Sequence, residues 1–120
     1  MKLPPNFVSL HPYFKAHPGK LESMKAGLLA FCDKTATEEG NLFYDFPING
    51  DEIFCREGYE GAEALLRHLQ NVGALLGEAL KIADLIRLEV HGPAAELEKL
   101  RGRWRISTRS RSCSTRRIRN

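Results

Sequence analysis

The sequence predicts an α+β fold, a four-stranded antiparallel sheet built in the order β-α-β-β-α-β, which is the ferredoxin-like arrangement. Three observations carry this. Two β-prone runs, Asn41 to Ile48 and Glu52 to Tyr59, are joined by Asn49-Gly50, the pair best suited to the positive φ angles of a type I′ hairpin turn. Segments with helical spacing stand on either side of that hairpin. Pro47 lies in the first of the two runs, and proline donates nothing to a ladder, so that strand belongs on a sheet edge or carries a bulge. In the β-α-β-β-α-β topology the second strand is an edge.

Taken in order, Phe7 to Phe14 is rich in β-formers and is closed off by Pro18-Gly19. From Lys20, Leu21, Met24, Leu28, Phe31 and Cys32 recur at helical spacing, predicting an amphipathic helix that ends near Gly40. After the hairpin a second helix starts at Gly61, with Ala62, Leu65, Leu66, Leu69 and Val72 on one side and Gly73 and Gly77 as points of break or bend. Leu85 to His91 alternates, with Ile86, Leu88 and Val90 set against Arg87, Glu89 and His91, as a half-buried strand does. Ala94 to Leu100 reads as a short helix. Both main helices pack on one sheet face, while Phe7, Ser9, His11 and Tyr13 share the other face of the first strand. A second copy of the chain is the economical cover for that face, so the expectation is a homodimer of the dimeric α/β barrel type.

A chain of 120 residues, 42% hydrophobic and 28% charged, has room for one globular domain, and pairing would add to its modest apolar burial. The first residues lack the apolar run of a signal peptide, and no stretch approaches a membrane span, so a cytoplasmic location without membrane contact is expected. Cys32, Cys55 and Cys113 are odd in number and far apart, which argues for free buried thiols over disulfides or zinc. The four histidines show no metal-ligand spacing, and no phosphate-binding loop, nucleophile elbow or paired catalytic carboxylate appears.

The net charge of +3 is a property of the C-terminal end. Residues 101–120 hold eight arginines and no acid, leaving residues 1–100 with 10 basic and 15 acidic groups. The body therefore offers no cationic surface for nucleic acid. The division expected is a domain over 1–100 and an Arg-rich tail over 101–120. The tail is either a disordered basic arm or the product of a one-base shift in reading frame near Gly102. For the second, Arg103 to Thr108 is encodable as CGC TGG CGG ATC TCA ACC. Shifted, with the preceding GGC CGC, the same bases read Pro-Leu-Ala-Asp-Leu-Asn and continue the helical pattern of Leu97 and Leu100. Arg103, Arg105, Arg109 and Arg111 have no acids near them in sequence, so poor packing is expected there.

The succession Pro18-Gly19-Lys20, Thr37-Glu38-Glu39-Gly40-Asn41-Leu42-Phe43-Tyr44-Asp45, Phe54-Cys55-Arg56-Glu57-Gly58-Tyr59 and Leu66-Arg67-His68-Leu69 resembles the antibiotic biosynthesis monooxygenase family, over about residues 7–100. That resemblance implies oxidation of a quinol-like or phenolic small molecule by dioxygen, with no cofactor and no metal. Such chemistry needs an apolar pocket and a group that manages the phenolic proton. His68, at the family's second-helix histidine position, is the candidate catalytic residue, an imidazole titrating near neutrality. Candidate substrate-binding residues are His11 and Tyr13 on the first strand, Tyr44 after the Gly40 turn and Glu57 on the third strand. Structural hydrogen bonding is the alternative role for each. The family's haem-degrading branch is disfavoured, because the only tryptophan, Trp104, lies in the tail. A non-catalytic small-molecule-binding or stress-response dimer is the alternative function.

Overall fold

Alternation along the first strand decides how the sheet is used. In the computed structural model, which describes residues 2–103, β1 runs Phe7–Ala16. Val8, Leu10, Phe14 and Ala16 are buried, while Phe7, His11 and Tyr13 are half-buried and Lys15 is exposed, as a period of two demands. β1 is followed by α1 (Leu21–Thr35), β2 (Asn41–Asp45), β3 (Ile48–Asn49), β4 (Glu52–Phe54), β5 (Arg56–Glu60), α2 (Gly61–Asn71), α3 (Gly73–Ala79), β6 (Ala83–His91) and α4 (Ala94–Leu100).

All pairings are antiparallel. β1 is central, with β6 along one side and β4 and β5 end to end along the other, and β2 and β3 form the outer edge on β5 and β4. β4 and β5 are one strand interrupted at Cys55, whose amide still donates to the Pro12 carbonyl at 3.0 Å. β2 and β3 are likewise one edge strand, broken at Phe46-Pro47, with the Pro47 carbonyl accepting from the Phe54 amide at 3.0 Å. Counted that way there are four strands, and the β-α-β-β-α-β order stands.

Several local expectations are corrected. Asn49 pairs with Glu52 in the ladder, so the hairpin turn is Gly50-Asp51. Gly50 alone has a positive φ, 62°, which fits glycine at the first central position of a type II′ turn and excludes type I′, where both central residues need one. α1 ends at Thr35, and a turn carries the chain on to Gly40. In β6 the register jumps between Tyr13↔Arg87 and Phe14↔Leu85, so Ile86 is bulged out and about half exposed, and Leu85 takes its inward place. The second helix breaks at Val72, while Gly77 lies inside α3.

Two clusters fill the helix-covered side of the sheet. Val8, Leu10, Tyr59, Leu65, Leu88, Val90 and Leu100 pack beneath α2 and α4. Phe14, Ala16, Met24, Ile53 and Ala83 pack beneath α1 and α3. The Glu96 carboxylate on α4 accepts from the Ala62 amide at 2.9 Å, supplying the first turn of α2 with a cap it lacks from its own sequence. Arg103 finds an acid that is distant in sequence, Glu63, at 2.9 Å, in an exposed ion pair. Arg105, Arg109, Arg111, Trp104 and Cys113, and the readings made of the tail from residue 104, lie outside the described residues. No helix among the described residues is long and apolar enough to cross a membrane.

One close approach fixes the helix against the edge strand. A Cβ added to Gly40 would stand 2.5 Å from the Ala64 Cβ on α2, and the Gly40 carbonyl accepts from the Glu60 amide at 2.9 Å. Gly40→Ala is therefore expected to destabilise the fold by about 1–3 kcal/mol through overpacking, read as a lower urea midpoint with an unchanged slope.

Candidate functional site

Period two along β5 puts Glu57 and Tyr59 on the helix-covered side, and Cys55 at the strand interruption joins them. On α2, His68 falls on the inner stripe with Leu65 and Val72, three residues after one and four before the other. The imidazole thus comes down onto the carboxyl of Glu57. His68 Nε2 is 3.3 Å from Glu57 Oε1, and the Tyr59 hydroxyl donates to the same oxygen at 2.5 Å. Tyr44 and Tyr59 hold the imidazole plane between them, with ring centroids 5.3 and 5.1 Å from it.

The other face of the imidazole network comes from the turn after α1. Glu38 faces His68 Nδ1 with both carboxylate oxygens, at 2.9 and 3.1 Å. Asn71 Nδ2 donates to Glu38 Oε2 at 2.7 Å and to the Lys34 carbonyl at 3.0 Å, so the end of α2 and the end of α1 orient that carboxylate together.

Burial governs the titrations. Desolvation pushes Glu57 up to about 7, against the opposing effect of hydrogen bonds from Tyr59 and Cys55. Desolvation lowers His68, and the Glu38 carboxylate pulls it part of the way back. Tyr44, Tyr59 and the Cys55 thiol are all raised, first by burial and then by the Glu57 charge, so each stays protonated at neutral pH. The raised carboxyl and the lowered imidazole stand 3.3 Å apart, burial favouring the protonated form of the first and the neutral form of the second.

This polar group closes one end of a narrow cavity between sheet and helices. Besides Tyr44, Cys55, Glu57 and His68, the walls include Leu10, Pro12, Phe14, Met24, Phe31 and Phe46. The enclosed space is about 40 Å³, room for a water or so, whereas an apolar cavity that holds benzene is about 150 Å³. An aromatic ligand enters only as flexible walls such as Met24 and the Phe31–Phe46 ring contact give way.

Of the five residues singled out in the sequence, Tyr44, Glu57 and His68 meet at this cavity. His11 and Tyr13 lie across the sheet on its open face. There the His11 ring meets His91 at 5.0 Å, and Nε2 bonds Ser9 Oγ at 2.8 Å. Tyr13 stacks on Phe54 at 4.6 Å beneath the Arg87 guanidinium. Sequence reasoning missed Cys55 and Tyr59, although their spacing of two from Glu57 announces a shared face. It also missed Glu38 and Asn71, which only the close approach of Gly40 to α2 brings to the site.

The chain matches no family model and no curated protein. Among solved structures, MupZ from Pseudomonas fluorescens is 43% identical, over 86% of this chain and 81% of that one, with a TM-score of 0.79. A proposed antibiotic biosynthesis monooxygenase from Nitrosomonas europaea shares the fold at 12% identity and TM-score 0.67, over 78% of this chain and 96% of that one. One from Chloroflexus aurantiacus does so at 18% identity and TM-score 0.62, over 73% and 93%.

The Glu57 carboxyl binds its proton more tightly folded than unfolded, so its contribution to stability is full below the unfolded pKa of about 4.5 and is lost as pH rises through about 7. Relative to Glu57→Gln, the wild type should therefore lose roughly 3 kcal/mol of unfolding free energy between those pH values and hold level above them. Urea titrations of both proteins across pH 4 to 8 measure this, and parallel pH profiles would exclude a titration of the buried carboxyl.

Proposed function

As the chain resembles the antibiotic biosynthesis monooxygenase family in sequence and shares the fold of its members, we propose that it oxidises a quinol-like or phenolic small molecule with dioxygen, using no cofactor. The observation that carries this reading is the Glu57–His68 pair in the wall of an otherwise largely apolar cavity. The pair accepts the phenolic proton, and the phenolate that results is the electron-rich form that dioxygen attacks. One oxygen atom enters the product and the other leaves as water. The apolar walls exclude bulk water from the reactive intermediate. Tyr44, held protonated, is the donor left to bond the substrate oxygen.

His68→Ala is expected to lower kcat by roughly a hundredfold or more, the usual scale of a general acid–base contribution. Oxygen uptake by purified metal-free protein across a panel of quinols and phenols is the measurement. No uptake above background would favour a non-catalytic binding role. Turnover that persists without oxygen would instead put the same acid–base pair to work in a redox-neutral proton transfer, which the geometry of Glu57 and His68 serves equally well.

The working form proposed is a homodimer. The open face carries Phe7 and Phe43, whose rings meet at 6.0 Å over Gly58, the Tyr13–Phe54 stack and the His11–His91 pair. A contiguous aromatic sheet face of this kind calls for a partner. Light scattering should give about twice 13.5 kDa for the wild type and a shift toward monomer for Phe43→Glu. A wild type that stays monomeric at micromolar concentration would remove the barrel argument.

A further inference from the structure

We propose that Glu38 is a positioning residue and the solvent end of a proton relay, Glu38–His68–Glu57, through which the closed end of the cavity exchanges protons with water. The proposal rests on the acid–base reading of the site and extends it to how the base is regenerated.

Three features of the geometry lead there. First, side-chain exposure falls along the row, 12% for Glu38, 2% for His68 and 4% for Glu57, so only Glu38 meets solvent. Second, both Glu38 oxygens face Nδ1 within 3.1 Å, and a carboxylate accepts only. The imidazole therefore carries its proton on Nδ1 and turns the lone pair of Nε2 toward Glu57. Third, Nε2 and Glu57 Oε1 stand 3.3 Å apart, within reach of a single proton passed between them. That proton sits on the carboxyl or on Nε2, and the Tyr59 hydroxyl bond to the same oxygen holds the carboxyl in place.

Proton transfer along the row balances. The resting Glu57 proton first passes to Nε2, and the carboxylate so freed takes the substrate proton. The Nδ1 proton then goes to Glu38 and from there to water, which returns the site to its starting charge once the imidazole tautomer resets. The groups facing the relay are Tyr59 and Cys55 beside Glu57, Tyr44 on β2 and Asn71 at the end of α2. Among the described residues no lysine or arginine forms an ion pair with Glu38, His68 or Glu57. Asn71 keeps the Glu38 carboxylate aimed at Nδ1 while adding no charge of its own. Burial holds the imidazole neutral, and the Glu38 charge limits how far it is displaced.

The test is ¹⁵N NMR of the imidazoles in the full chain, with kinetics alongside. Wild-type His68 is expected as the Nδ1-protonated tautomer. Glu38→Gln should lower its pKa by about one pH unit, as removal of a contacting opposite charge does. kcat should fall roughly tenfold or more with KM little changed. Added formate should recover activity in Glu38→Ala, where a small carboxylate can take the vacated place. Glu38→Asp, which keeps the charge, should keep the tautomer. A wild-type His68 protonated on Nε2, or a His68 titration unmoved by Glu38→Gln, overturns the relay whatever the activity. If the NMR results hold and no phenol is oxidised, the monooxygenase reading fails and the relay stands.

Discussion

Glu57 is enclosed beneath α2 with no lysine or arginine among the described residues paired to it, and an ionised carboxylate in such a place costs several kcal/mol even after relaxation. The group therefore holds its proton to near neutral pH. The same absence of water acts on His68 with the opposite sign, because burial penalises whichever form is charged. Two groups whose ordinary pKa values lie about two units apart are thereby brought together, one raised and one lowered. Remove the apolar walls and the carboxyl would ionise while the imidazole returned to its solution behaviour, leaving an ordinary ion pair with no proton to share. The cavity lining is thus part of the acid–base device as well as a place for a ligand.

Backbone irregularities place the polar atoms in that lining. The break at Cys55 turns its thiol toward Glu57 while its amide keeps the ladder to β1 intact. Tyr44 and Phe46, two residues apart, both line the cavity just before the edge strand breaks at Phe46-Pro47. Gly40, pressed on Ala64, carries the turn bearing Glu38 against the end of α2, where Asn71 receives it. The site is assembled from four separate segments, and each is held by a specific close contact to the sheet or to α2.

This explains what was legible in the sequence. Strand and helix order could be read because each element has its own period, and Pro47 marked the edge. His68 could be placed inside because it shares a stripe with Leu65 and Val72. Glu57 is flagged by the family pattern, yet its partners Cys55 and Tyr59 needed only the rule of two. Glu38 could not be reached this way. It stands in a turn with Glu39 beside it, and nothing in the local pattern separates a carboxylate aimed at a buried imidazole from one facing water. The hairpin turn and the β6 bulge were misjudged for a related reason, since a shift by one residue is decided by pairing with the neighbouring strand, which acts over long sequence distance.

The two sides of β1 have separate work to do. Leu10 and Phe14 face the cavity, and the same alternation turns His11 and Tyr13 away from it, into contact with His91, Phe54 and Arg87. The sheet itself stands between them. A partner seated on the open face can reach the cavity only around a sheet edge, so the acid–base machinery, from Glu38 through His68 to Glu57, is complete within one chain. A homodimer formed as proposed would act on the site indirectly, by holding the strands that carry Tyr44, Cys55 and Glu57 in register beneath α2. On this account substitutions at His11 or Tyr13 alter association and stability, whereas substitutions at Glu57 or His68 alter proton chemistry in a protomer whose interface is unchanged.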